Sequence, residues 1–160
     1  MEELEFAIKL RGLGELKKSN LILIKLADSK PDDALISYQT AWSFDLLGEE
    51  AEAAPYYERA ISLGLPNKEL EGALLGLGST YRTLGEYQKA RCTLEKGINQ
   101  FPDNRAMKVF YSMVLYNMEK HNEAMGILLE SLAETSSDES IMLYRKAIAF
   151  YADKLDTVWK

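Results

Sequence analysis

Cysteine and histidine are nearly missing from this chain: one of each in 160 residues. Cys92 has no second cysteine with which to close an internal disulfide, and a dedicated zinc cluster would lack ligands. No metal site and no cofactor is therefore expected. Basic residues are also in the minority, 19 Lys and Arg against 25 Asp and Glu, for a formal charge of -6. A surface of that sign is repelled by nucleic-acid phosphates and by anionic membranes, which argues against both as general partners. Long apolar runs are absent as well. None approaches the roughly 20 residues needed to cross a bilayer, and Lys25 interrupts even the stretch from Leu21 to Leu26. The acidic start Met1-Glu2-Glu3 has neither the basic nor the apolar section of a secretory signal, so a cytoplasmic protein is expected. Prolines number only four while 47% of residues are hydrophobic, a balance that suits one modest domain with a continuous core.

What is present is a repeat. Gly14 and Gly48 lie 34 residues apart, as do Ala90 and Ala124, each at the same place in a paired-helix pattern. Phe6, Ala7, Leu10 and Leu13 lead to Gly14 and then to Leu16, Ser19, Leu23 and Leu26. The second unit has Thr40, Ala41, Phe44, Leu47 and Gly48, followed by Ala53, Tyr57 and Ala60. The third has Leu77, Gly78, Tyr81, Leu84 and Gly85, then Tyr87, Ala90, Leu94 and Gly97, after a register slip of three residues. The fourth has Tyr111, Ser112, Leu115 and Met118, then His121, Ala124, Leu128 and Ser131. Spacings of three and four put each first-helix set on one helical stripe. A period of this length means stacked helix pairs, in which the presented surface matters more than any one pocket.

The recurring residue types have mechanical reasons. Ala7, Ala41, Gly78 and Ser112 on first helices, with Ser19, Ala53, Ala90 and Ala124 on second helices, would let paired backbones approach closely. Gly14, Gly48 and Gly85 suit a left-handed helix exit, whereas Glu119 in the fourth unit predicts a less ideal turn or another backbone path. Asp32 or Asp33, Asn67, and Asp103 are placed to start helices, and Ser136 to Glu139 reads as a capping box for a last helix ending near Leu155. That helix has no full partner and is expected to cover the end of the stack. The loop Ser62 to Lys68 has room for the three slipped residues, and Pro55 implies a late helix start or a bend.

The string Leu77-Gly78-x-x-Tyr81-x-x-Leu84-Gly85-x-Tyr87-x-x-Ala90-x-x-x-Leu94-x-x-Gly97-x-x-x-x-Pro102 resembles the tetratricopeptide repeat family. Leu74 serves where the family has a large residue ahead of this string, while Glu3, Ser37 and Lys108 depart from it. Ala60 keeps the second-helix alanine that Leu26, Gly97 and Ser131 replace. The resemblance covers nearly the whole chain and extends to small stand-alone bacterial members. It implies an all-α, right-handed helical-repeat solenoid of about four helix pairs, with units near 1–33, 34–70, 71–104 and 105–138 and a capping helix near 139–157.

Members of that family usually bind peptides or protein surfaces along the concave side formed by first helices. By resemblance the groove here would hold Leu4, Ile8 and Arg11; Tyr38, Trp42 and Asp45; Leu75, Ser79 and Arg82; and Val109, Met113 and Tyr116. Leu143, Ala147 and Phe150 would close its far end. Independently, each triplet lies on a helical face beside the pairing stripe. Trp42 with Tyr38 suits apolar side chains and Arg82 a carboxylate, packing between repeats or plain solvation being the other reading of Trp42 and Arg82. The lysine and asparagine clamp that one subgroup uses on a chaperone's terminal carboxylate is replaced by residues such as Leu4, Ile8, Tyr38 and Trp42, so an apolar segment with an acidic group is the better-suited partner.

Catalytic readings find little support. His121 starts a second helix, where local packing or capping is the ordinary role, and Cys92 shows no activating partner. Gly12-Leu13-Gly14 and Gly76-Leu77-Gly78 lack the strand-to-helix setting and the lysine of a phosphate loop. The expected function is a non-catalytic protein- or peptide-binding adaptor. The alternative is a self-associating structural module contacting itself through terminal helices and Trp159, although Trp159 is expected to pack back on the last helix.

Overall fold

The computed structural model describes residues 2–160. Among them are nine α-helices and no strand: α1 (Glu2–Gly12), α2 (Leu16–Ser29), α3 (Ala34–Asp45), α4 (Glu50–Leu63), α5 (Asn67–Thr83), α6 (Tyr87–Gln100), α7 (Arg105–Asn117), α8 (His121–Thr135) and α9 (Glu139–Tyr151). No helix among the described residues is long and apolar enough to cross a membrane. The chain divides into two compact units, Met1–Thr93 and Leu94–Lys160, the division falling inside α6.

In the first unit, α1 packs on α2, α2 on α3, α3 on α4 and α4 on α5. The small residues are what let these helices meet. Ala7, Ser19, Ala41 and Ala53 are fully buried, and the Ser19 hydroxyl donates to the Ala7 carbonyl across the α1–α2 contact at 2.7 Å. A bond of that kind requires close backbones, so the same side chain that permits the approach also uses it. Between α2 and α3, Asn20 donates to the Ser43 hydroxyl at 2.9 Å and Thr40 to the Leu23 carbonyl at 3.2 Å, so these buried polar groups are paired. The second unit repeats the scheme, α7 packing on α8 and α8 on α9, with Ser112 and Ala124 buried.

Each helix pair turns through one left-handed residue. Gly14, Gly48 and Gly85 have φ of 82°, 73° and 77°. The following amide then folds back on the first helix: Glu15 to the Leu10 carbonyl, Glu49 to Phe44 and Glu86 to Tyr81, at 2.9, 3.1 and 2.9 Å. Glu119 does the same with φ 61°, and Lys120 donates to the Leu115 carbonyl at 2.9 Å. Of the two expectations at Glu119, a different path does not occur and the less ideal turn does. The backbone bond prevails and the glutamate bears the left-handed conformation.

The other boundaries follow expectation only in part. Asp33, not Asp32, caps α3, accepting from the Ile36 amide at 3.0 Å. Asn104 rather than Asp103 caps α7, accepting from the Met107 amide at 3.0 Å. Asn67 begins α5 as expected, although Pro66 and not Asn67 holds the cap position. The capping box at Ser136 gives way to Asp138, whose carboxylate takes the Ser140 and Ile141 amides at 3.0 and 3.1 Å. The slipped residues do not widen a loop. Only Gly64, Leu65 and Pro66 separate α4 from α5, and α5 has 17 residues where α3 has 12, so the insertion adds about one helical turn. Pro55 lies exposed within α4, which starts on time at Glu50. Phe6 and Leu13, expected on a buried stripe, are exposed.

The C-terminal segment belongs to α8 as much as to α9. Ala152 is buried, with its carbonyl oxygen only 2.8 Å from where a Cβ on Gly126 would stand, and Asn122 donates to Asp156. Trp159 does pack back, its ring 5.5 Å from Tyr151 and 6.3 Å from Phe150. None of the residues of α9 is buried, and Leu143 on it is 76% exposed.

Candidate interaction surface

Tyr38 and Trp42 are one helical turn apart on α3, a spacing that stacks side chains on one face. Their rings lie 6.1 Å apart with planes 26° from parallel. Trp42 is 41% exposed. Arg11 reaches across from α1 and lays its guanidinium 3.9 Å from the Trp42 ring centre. One guanidinium nitrogen, Nη2, donates to Oε1 of Gln39 at 2.5 Å, while the other, Nη1, is buried without a hydrogen-bond acceptor. Burial depresses the affinity of Arg11 for its proton, opposed by the neighbouring Tyr38 and Tyr57.

Behind Tyr38 stands a buried hydroxyl and carboxylate group. The Tyr57 ring lies 6.2 Å from that of Tyr38 and its hydroxyl donates to Oδ2 of Asp45 at 2.7 Å. Thr80 donates to the other oxygen, Oδ1, at 2.9 Å. Asp45, predicted as a groove residue, therefore ties α3 to α4 and α5 with both oxygens. Burial raises its pKa above the usual carboxylate range, against the lowering effect of the Tyr57 and Thr80 bonds. Burial likewise raises the pKa of Tyr38 and of Tyr57, so both phenols are neutral at pH 7.

Two glycines on α5 make room for these tyrosines. A Cβ at Gly72 would collide with the Tyr38 hydroxyl, and one at Gly76 would stand 2.5 Å from the Tyr57 hydroxyl and 2.6 Å from its Cζ. Glycine inside a helix costs about 1 kcal/mol relative to alanine, so a pair one turn apart in α5 is a sequence sign of close approach. Neither glycine, nor Gln39, stood out as part of the surface in the sequence. Leu75, Ser79 and Arg82 are half-buried on the same helix. The Ser79 carbonyl accepts from the Thr83 hydroxyl at 3.2 Å, and Arg82 is already engaged with a neighbour.

The second unit carries the remaining predicted residues on α7. Val109 is half-buried, while Met113 and Tyr116 are exposed. The Tyr116 ring lies 4.8 Å from the imidazole of His121, so this histidine packs locally, as its place at a helix start suggests. Leu143, Ala147 and Phe150 are exposed on α9, and Cys92 is exposed on α6. No group of three or more His, Cys, Asp or Glu among the described residues is arranged to hold a metal ion.

Among solved structures, the crystal structure of YrrB, described as a TPR protein with an unusual peptide-binding site, is similar at a TM-score of 0.74 and 18% identity, over 98% of this chain and 78% of that one. The MamA RS-1 ArsTM double mutant is similar at a TM-score of 0.68 and 12% identity, over 98% of this chain and 97% of that one. At such identities the likeness concerns the fold, an all-α helical repeat. No curated protein gives a match. A family model described as Tetratrico peptide repeat matches residues 34–155, most of the sequence, and the chain belongs to the tetratricopeptide repeat family.

Proposed function

We propose that this protein is a non-catalytic adaptor that binds a protein or peptide segment on the surface of its first helices. The repeats of this family generally serve as protein-interaction scaffolds, and a peptide-binding site in the structurally similar YrrB supports a peptide ligand here. The observation that carries the reading is Trp42, a large ring left open while Tyr38 and Arg11 hold it from two sides. An aromatic ring already fixed in place loses little rotamer freedom on binding, which is the character of an interface anchor. Leu75, Ser79 and Arg82 on α5 are the further contacts proposed for this surface. The suited partner is an apolar segment with an acidic group.

The test is a peptide selected from a random display library against the intact protein and titrated calorimetrically. Trp42→Ala is expected to weaken it by about 2 kcal/mol or more, roughly thirtyfold. Equal affinity in the variant would sink the reading. A second reading, self-association through the terminal helices, draws on the exposed Leu143, Tyr144 and Phe150 of a helix that buries none of its residues. Sedimentation over a concentration series, repeated with Trp159→Ala, tests it; a monomer at every concentration would dismiss it.

A further inference from the structure

We propose that Arg11 is a carboxylate anchor within the Trp42 surface, covered by Trp42 and Gln39 until an anion displaces the Gln39 amide. The proposal rests on the adaptor reading and gives the partner's acidic group an address different from Arg82. Arg11 has no carboxylate partner among the described residues: its contacts are the Trp42 ring, the Gln39 amide and the fields of Tyr38 and Tyr57. A guanidinium withdrawn from water without a counter-ion is unfavourable, and a chain with 25 acidic residues has ample means to supply one. Asp45, which shares Tyr57 as a neighbour, has both oxygens held by Tyr57 and Thr80. Tyr38 and Tyr57 are neutral phenols and leave the charge uncompensated.

The geometry also fits a planar anion. Trp42 holds one side of the guanidinium, the Gln39 amide that accepts from Nη2 carries no charge of its own, and Nη1 is buried without an acceptor. A carboxylate that takes the place of the Gln39 amide gains both Nη atoms in the two-pronged arrangement that arginine offers and lysine does not. An apolar neighbour in the partner then lies over Trp42. The carboxylate can come from a chain terminus or from an Asp or Glu side chain, since both present the same two oxygens.

Three small probes separate these sources: N-acetyl-leucine, with a terminal carboxylate; N-acetyl-glutamic acid α-amide, with only a side-chain carboxylate; and neutral N-acetyl-leucinamide. Arginine Nε and tryptophan indole signals of the labelled full chain report binding by NMR. Saturable shifts of the Arg11 and Trp42 signals are expected with one or both carboxylates, with half-saturation on the order of millimolar for so few atoms. The leucine probe alone would indicate a terminus, and the glutamic probe would admit side chains. Arg11→Gln should weaken either by about tenfold or more, and Arg11→Lys should recover only part of the loss. Equal shifts with the neutral amide, no saturation with either carboxylate, or full binding in Arg11→Gln would overturn the proposal. The carboxylate-against-amide comparison needs no variant, so a folding defect cannot obscure it. A display-selected peptide that depends on Trp42 but ignores Arg11→Gln would likewise refute the anchor while leaving the adaptor intact.

Discussion

Gly76→Ala is the substitution on which helix propensity and packing disagree in sign. In the interior of α5, alanine should stabilise by about 1 kcal/mol on propensity alone. The added Cβ would stand 2.5 Å from the Tyr57 hydroxyl, 2.6 Å from Cζ and 2.9 Å from Cε1, all well inside the ~3.5 Å at which carbon atoms meet. The ring has to retreat by about 1 Å on that measure, yet Tyr57 is 2% exposed, wedged beside Tyr38 and hydrogen-bonded to Asp45. Overpacking costs about 1–3 kcal/mol, and losing a bond to a carboxylate about 1.5–3 kcal/mol more. After the propensity gain, a net loss of about 1.5–5 kcal/mol remains, which for a domain of this size lowers Tm by about 3–20 °C. Gly12→Ala is the control, since a Cβ there meets nothing within 4 Å and should cause no loss. Thermal and urea unfolding of the two variants beside the parent decide the matter. A Gly76→Ala protein as stable as the parent would refute the close seating of Tyr57 on α5.

Glu119→Gly should stabilise by about 0.5–1 kcal/mol, because relief of the left-handed conformation exceeds the added freedom of the unfolded chain; a lower urea midpoint would contradict this. Asp33→Ala should cost about 1 kcal/mol through the lost cap while Asp32→Ala costs close to none, and equal losses in urea unfolding would invalidate the assignment. Asp45 binds its proton more tightly in the folded than in the unfolded protein. Its contribution to stability is therefore present in full below the unfolded pKa and lost as pH rises through the folded one. Stability measured against pH should show this decline just above the usual carboxylate range, and Asp45→Asn should remove that part of the slope; an unchanged slope would show that other groups cause it.

Pairing was legible because it rests on size. Ala7, Ser19, Ala41, Ala53, Ser112 and Ala124 recur where backbones meet, and all are buried. Caps were less legible because adjacent Asp or Asn residues are equivalent as acceptors, and only the local backbone decides that Asp33, Asn104 and Asp138 are the ones used. The insertion before α5 was visible as a slip, yet its absorption into the helix depends on the preference of residues after Pro66 for helix over loop. Trp42 was readable as a residue beside the pairing stripe. Its stacking under Arg11 was not, since those residues lie on different helices and their contact depends on side-chain rotamers and on the spacing of α1 from α3.

The two tryptophans provide the most direct measurement of the central claim, because Trp42 lies on the proposed partner surface and Trp159 lies against α9. Their indole N–H signals can be followed together while a display-selected peptide is added to the intact chain. A saturable shift of the Trp42 signal with Trp159 unmoved is the predicted result. A shift confined to Trp159 would contradict the account and transfer the interaction to the exposed terminal helix.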